Sequence, residues 1–204
     1  VGAADPQTTD PSSAAPHAAA RFAAGLPSAL ADGRLLHVGP DADTALLPFR
    51  DRADRAVVVM AAAAAYEASP LPAMLDWAEA RVGRPLPQHR IAGAEALSNA
   101  VIHGALGLPG LSAYDGDGGA YAAAIRARLA EPARAAAPVR IALRLLPGRI
   151  AMHVDDWGAG FDPASVPRPL LDGFSGRGLL IMRATCLRLR IGRGGRRSSL
   201  LMAV

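Results

Sequence analysis

The chain has 204 residues, 51% hydrophobic and 20% charged, enough for one ordinary domain with extra segments and too apolar for global disorder. All 22 basic residues are Arg, which excludes a lysine Schiff base and a Walker-type phosphate loop. The formal charge is a modest +4, and the single cysteine, Cys186, can form no internal disulfide, which suits a reducing compartment.

Residues 1–32 are dominated by Ala, Pro, Ser, Thr and Asp without a sustained period, as in a low-complexity arm. Residues 33–55 form an extension in which Arg34 to Val38 reads as a short strand, and Ala56 to Met60 reads as a second, β-branched one. The apolar run from Ala56 to Tyr66 is too short to span a bilayer, and no basic-then-apolar leader precedes it, so a cytoplasmic protein without membrane association is expected. Pro72 to Val82 has the spacing of an amphipathic helix closed by Gly83. Pro87 opens another, running to about His103 with Gly104 as its cap and Ile91, Ala94, Leu97, Val101 and Ile102 as its apolar face.

A Gly-rich stretch from Gly104 to Gly119 is too long for a tight connection, and Tyr121 to Leu129 reads as helix. Val139 to Leu145 and Ile150 to Val154 alternate around Pro147-Gly148, as a β-hairpin does. Leu179 to Thr185 reads as helix, and Leu187 to Ile191 with Ser199 to Val204 as a closing hairpin. Arginines gather near this end, but Arg188 and Arg190 alternate with Leu187, Leu189 and Ile191 like the solvent face of a strand. Without stacking aromatics, direct nucleic-acid binding is not expected. The fold class is therefore α/β: a two-layer sandwich with helices on one face of a mixed, mostly antiparallel sheet.

Three features carry candidate chemistry. Glu95, Asn99 and His103 repeat every four residues, which places them on one helical face. A carboxylate one turn from a carboxamide can accept a proton while the amide oxygen ligates Mg²⁺, although such a stripe is also what the wet side of a helix looks like. Asp156-Trp157-Gly158-Ala159-Gly160 leaves a strand; its carboxylate can accept from an adenine amino group, or the segment is a plain Asp-Gly turn. Asp155 alternates away from Asp156. Gly173 to Gly178 precedes a helix and can offer backbone N–H groups to an anion. No strand or βαβ unit surrounds it, so a dinucleotide fold is excluded.

Taken in order, these residues resemble the GHKL superfamily of histidine-kinase-like ATPases, most of all the anti-sigma-factor serine kinases of bacterial partner switching. Glu95 to Gly104 is similar to that group's N box, Asp156 to Pro163 to its first glycine box, and Ser175 to Arg183 to its second. The resemblance covers roughly Ala56 to Val204, with 105–137 as an insertion. It implies a Bergerat-type fold binding ATP and Mg²⁺, with Glu95 as general base, Asn99 as metal ligand and Asp156 as adenine reader. It further implies nucleotide contacts from His103, Gly158, Gly160, Gly176, Arg177, Gly178, Leu179 and Ser198. Ser198-Ser199 stands where the group carries Thr.

By the same resemblance the protein phosphorylates Ser or Thr on an antagonist protein, sequesters a sigma factor, and forms a homodimer. The acidic Glu95 and the short lid from Asp162 to Ser175 separate it from sensor histidine kinases. The alternatives are a non-catalytic nucleotide-binding or interaction module, motivated by the insertion, and a detached histidine kinase catalytic domain.

Overall fold

The computed structural model describes residues 35–38, 44–47, 54–162 and 177–204; the N-terminal arm and most of the lid, with Gly176, lie outside them. Its strands are β1 (Leu35–Val38), β2 (Thr44–Leu47), β3 (Arg55–Ala61), β4 (Pro138–Leu146), β5 (Arg149–Asp156), β6 (Arg188–Gly192) and β7 (Arg197–Ala203). They form one sheet in the order β2-β1-β3-β4-β5-β7-β6, antiparallel except where β1 runs parallel to β3. The mixed, mostly antiparallel sheet is thus as expected. The 33–55 extension supplies two of its strands, and β2 was not foreseen.

Alternation decides which face is covered. Val58, Ile141, Val154 and Ser198 lie across from one another on β3, β4, β5 and β7, and the row beside them is Leu143, Met152 and Leu200. Apart from Ser198 these side chains are buried in one core, where they meet Met74, Leu75, Trp77, Leu97 and Val101 from the helices. That apolar burial is the main force holding the layers together.

The helices are α1 (Ala62–Glu67), α2 (Leu71–Val82), α3 (Pro87–Ser98), α4 (Gly118–Leu129), α5 (Pro132–Ala135) and α6 (Gly178–Thr185). Gly83 ends α2 in the left-handed region at φ 77°, with its N–H on the Glu79 carbonyl at 2.8 Å. Glu79 joins α2 to α3: it accepts from the Leu86 N–H at 2.8 Å and from Arg90 at 2.9 Å.

Two expectations for the helix from Pro87 need correction. Its α-helical part stops at Ser98, and a π-helical turn, Asn99–Ala105, continues it; Gly104 lies buried inside that turn and is not a cap. The buried face is His89, Ala92, Gly93, Ala96 and Leu97, whereas Ile91 is 52% exposed and Ala94 is exposed too. Small residues let this helix lie close to its neighbours: a Cβ on Gly93 would stand 2.9 Å from Leu71 and 3.0 Å from Met152.

The 105–137 insertion is folded into the domain. Asp117 caps α4 by accepting from Gly119 and Ala120, Ile125 and Leu108 enter the core, and Arg134 of α5 donates to the Ala105 carbonyl at 3.3 Å.

Candidate nucleotide site

The site is built where α3, its π-helical turn, the end of β5 and the start of α6 converge. Glu95, in the last turn of α3, and Asn99, the first residue of the π-helical turn, are half-buried. Directly over them sits Gly178, the first residue of α6, where a Cβ would lie 2.7 Å from Glu95 Oε2 and 3.5 and 3.6 Å from the Asn99 amide Nδ2 and Oδ1. Only glycine leaves that space open. The first N–H groups of α6 have no acceptor within the helix and carry the positive end of its dipole, so an anion held there faces the carboxylate and carboxamide.

Asp156 marks the other end. It is 6% exposed, and burial pushes its carboxyl up, against the pull of the Gly158 N–H that donates to Oδ1 at 2.9 Å. Its carboxyl group rests on the Cα of Gly104, where any side chain would collide with it, and Gly158 packs against the Gly104 carbonyl. The π-helical turn therefore presents bare backbone to the adenine-reading candidate.

The glycine loop is held from behind by the turn between β6 and β7. Gly160, at φ 76°, packs against the Gly194 carbonyl; Phe161 N–H donates to that carbonyl at 3.2 Å, and Asp156 N–H to Arg196 at 3.0 Å. Asp155 does face away from Asp156, but it is no bystander. Fully buried, it accepts from Arg140 at 2.9 Å, Arg193 at 3.2 Å and Arg197 at 2.5 Å. Burial pushes this carboxyl up, yet the three guanidiniums outweigh it and hold the group below the usual range. Arg193 also lies over the exposed Trp157 ring, 5.4 Å from its centre.

The other predicted residues fall as follows. His103 is exposed, with Nδ1 bonded to the Leu108 carbonyl at 2.7 Å, so it ties down the chain leaving the π-helical turn. Ser198 shares the face of Val154 beside Asp156, whereas Ser199 faces the opposite side and bonds His153 Nδ1 at 2.9 Å. Arg177 is the residue before α6 and is exposed; Leu179 packs against the core. Sequence reasoning missed Gly104 as a contact and Arg193 as a clamp. The Arg193-Gly194-Gly195 run was the only signal for the second, and it shows a turn without showing what the turn touches.

Residues 121–204 match the family model of the histidine kinase-like ATPase domain. No curated protein matches the chain. The histidine kinase-like segment contains Asp156, Gly158, Gly160 and Gly178, whereas Glu95, Asn99, His103 and Gly104 precede it. Domains of this kind bind ATP, usually with Mg²⁺, and the geometry fits both. Asp156 offers a buried acceptor to a base, and the start of α6 offers N–H groups to phosphate. Asn99 offers a hard carboxamide oxygen to a cation that keeps most of its ligands as water and phosphate. No helix among the described residues is long and apolar enough to cross a membrane.

Proposed function

We propose that this protein is an ATP-dependent protein serine/threonine kinase that works as a partner switch of the anti-sigma-factor type. The observation that carries the reading is that the Glu95 carboxylate and the Asn99 amide both lie against Gly178 at the start of α6, which supports a general base and a metal ligand meeting at one helix start that could hold phosphate. Glu95 would take the proton of the attacking hydroxyl, Asn99 would hold Mg²⁺, Asp156 would orient the base, and the α6 N–H groups would hold the phosphates. Bound Mg²⁺ supplies charge neutralisation at the phosphates. The proposed protein partners are a sigma factor and an antagonist carrying the acceptor Ser or Thr.

Equilibrium titration with ATP, with and without Mg²⁺, tests the site before any partner is known. Transfer of the terminal phosphate to a Ser or Thr of a co-purifying protein then tests the kinase step. Tight Mg-dependent binding without transfer or turnover would favour a non-catalytic nucleotide module, a reading supported by the position of Glu95 and Asn99 ahead of the matched residues. Acid-labile phosphate on a partner would indicate histidine as the acceptor.

A further inference from the structure

The sheet face turned away from the helices carries positive charge that nucleotide binding does not use. Arg140, Asp155 and Arg197 are neighbours across β4, β5 and β7, and their mutual ion pairs show that they share this face; His153, Ser199 and Arg190 form the next row on it. Alternation along β4 and β6 adds Arg144 and Arg188. Two carboxylates answer them among the described residues: Asp155, already enclosed by three guanidiniums, and Asp54, 3.3 Å from Arg144. The whole chain has a formal charge of only +4, so these strands concentrate its basic excess on one side.

Protection of an edge strand accounts for Arg188 and Arg190 on β6, and on the inner strands Arg140 and Arg197 share Asp155 while Arg144 pairs with Asp54, so that arginines still outnumber carboxylates across β4, β5, β7 and β6. Between the arginines of β4, β5 and β7 lie the half-buried Ala151 and Leu201, whereas Val57 and Ala142 are themselves buried, and the exposed Trp157 ring just past β5 is already faced by Arg193. We propose that this face docks an acidic segment of a protein partner, with carboxylates on the arginines and aliphatic side chains over Ala151 and Leu201. The face is separate from the nucleotide site, so the proposal does not depend on the kinase reading.

The test uses the full chain and a fluorescent Glu-Glu-Leu repeat peptide of about 20 residues, followed by anisotropy at about 50 mM salt, where charge pairing is only partly screened. The parent should bind, and Arg188→Glu with Arg190→Glu should weaken binding at least about tenfold, as close interfacial charge reversals do. ATP affinity should be unchanged in the same preparation. Arg126→Glu with Arg128→Glu on α4, the same charge change on the helical layer, should leave peptide binding within about twofold. Single Arg188→Gln and Arg190→Gln variants cover the case in which the double reversal unfolds, and each should lose a smaller factor. Failure of the parent to bind the peptide, equal losses in the α4 variant, or tighter binding of a thymidine oligonucleotide of equal charge would each overturn the proposal.

Discussion

Replacing Gly178 with alanine should separate folding from function. The added methyl would stand 2.7 Å from Glu95 Oε2, closer than real Cβ atoms approach, but what it meets is the tip of a flexible side chain and not backbone. Glu95 should therefore turn aside while α3 and α6 stay in place, at an off-rotamer cost of about 0.5–1.5 kcal/mol. Alanine returns up to about 1 kcal/mol of helix propensity, less in a first turn. The two effects nearly cancel, so unfolding in urea should shift by less than about 1 kcal/mol. Displacing a reacting group by about 1 Å costs on the order of a hundredfold in rate, and phosphate transfer or ATP turnover should fall by that factor. Parent-like turnover would remove Glu95 from the chemistry. A loss of several kcal/mol in stability would show that the α3–α6 contact is rigid and that the alanine acts on packing.

Glu95→Gln should keep ATP affinity and lower phosphate transfer by roughly a hundredfold or more, whereas Asn99→Ala should lower Mg-dependent affinity and transfer together; calorimetry and single-turnover assays distinguish the two. Asp156→Asn should lower ATP affinity by about 1–3 kcal/mol. It should not weaken the fold at neutral pH, because burial raises the Asp156 carboxyl and its ionised form is held there at a cost. Asp155→Asn should cost about 3 kcal/mol in thermal or urea unfolding, since it strips a buried counter-ion from three arginines. The Asp155 carboxyl is held below its usual 3.8, so its stabilising contribution should be present above that value and vanish as pH falls through the lower folded value. Burial first, then Arg84, lowers His89, and neither buried ring nitrogen has a partner among the described residues; the unfolded chain therefore takes up protons below about pH 6.5 before the folded one does. Stability should fall with pH in that window, and His89→Leu should flatten the slope without abolishing it, because His153 is lowered in the same direction.

Much of the sheet was legible because period-2 patterns and turn residues are local signals. The Pro147-Gly148 hairpin and the closing hairpin appear within one or two residues of the expected limits. The α3 face was misread for an equally physical reason. Its buried side is made of Ala, Gly and a histidine, residues with little hydrophobic weight, while Ile91 looks like core and is exposed. Close helix packing selects small side chains, and periodicity weighted by hydrophobicity cannot see them. The ion pairs of Asp155 were not legible because its partners come from β4, β7 and the turn before β7, contacts fixed by register and not by sequence spacing.

The π-helical turn explains how one helix serves both ends of the site. Had α3 continued with ordinary i to i+4 bonds through Gly104, every fourth residue after Asn99 would have stayed in the stripe of Glu95. The wider turn, seen in the Leu106 N–H bonded to the Val101 carbonyl at 2.9 Å, changes that phase exactly where the chain must meet Asp156. Glu95 and Asn99 can then lie under α6 while Gly104, only five residues past Asn99, lies against the carboxylate that ends β5. Such a turn is held by its surroundings more than by its own hydrogen bonds, and here the insertion provides them: Arg134 donates to the Ala105 carbonyl, and His103 bonds the carbonyl of Leu108. The segment that looks like an added loop in the sequence thus braces the π-helical turn on which Asp156 rests.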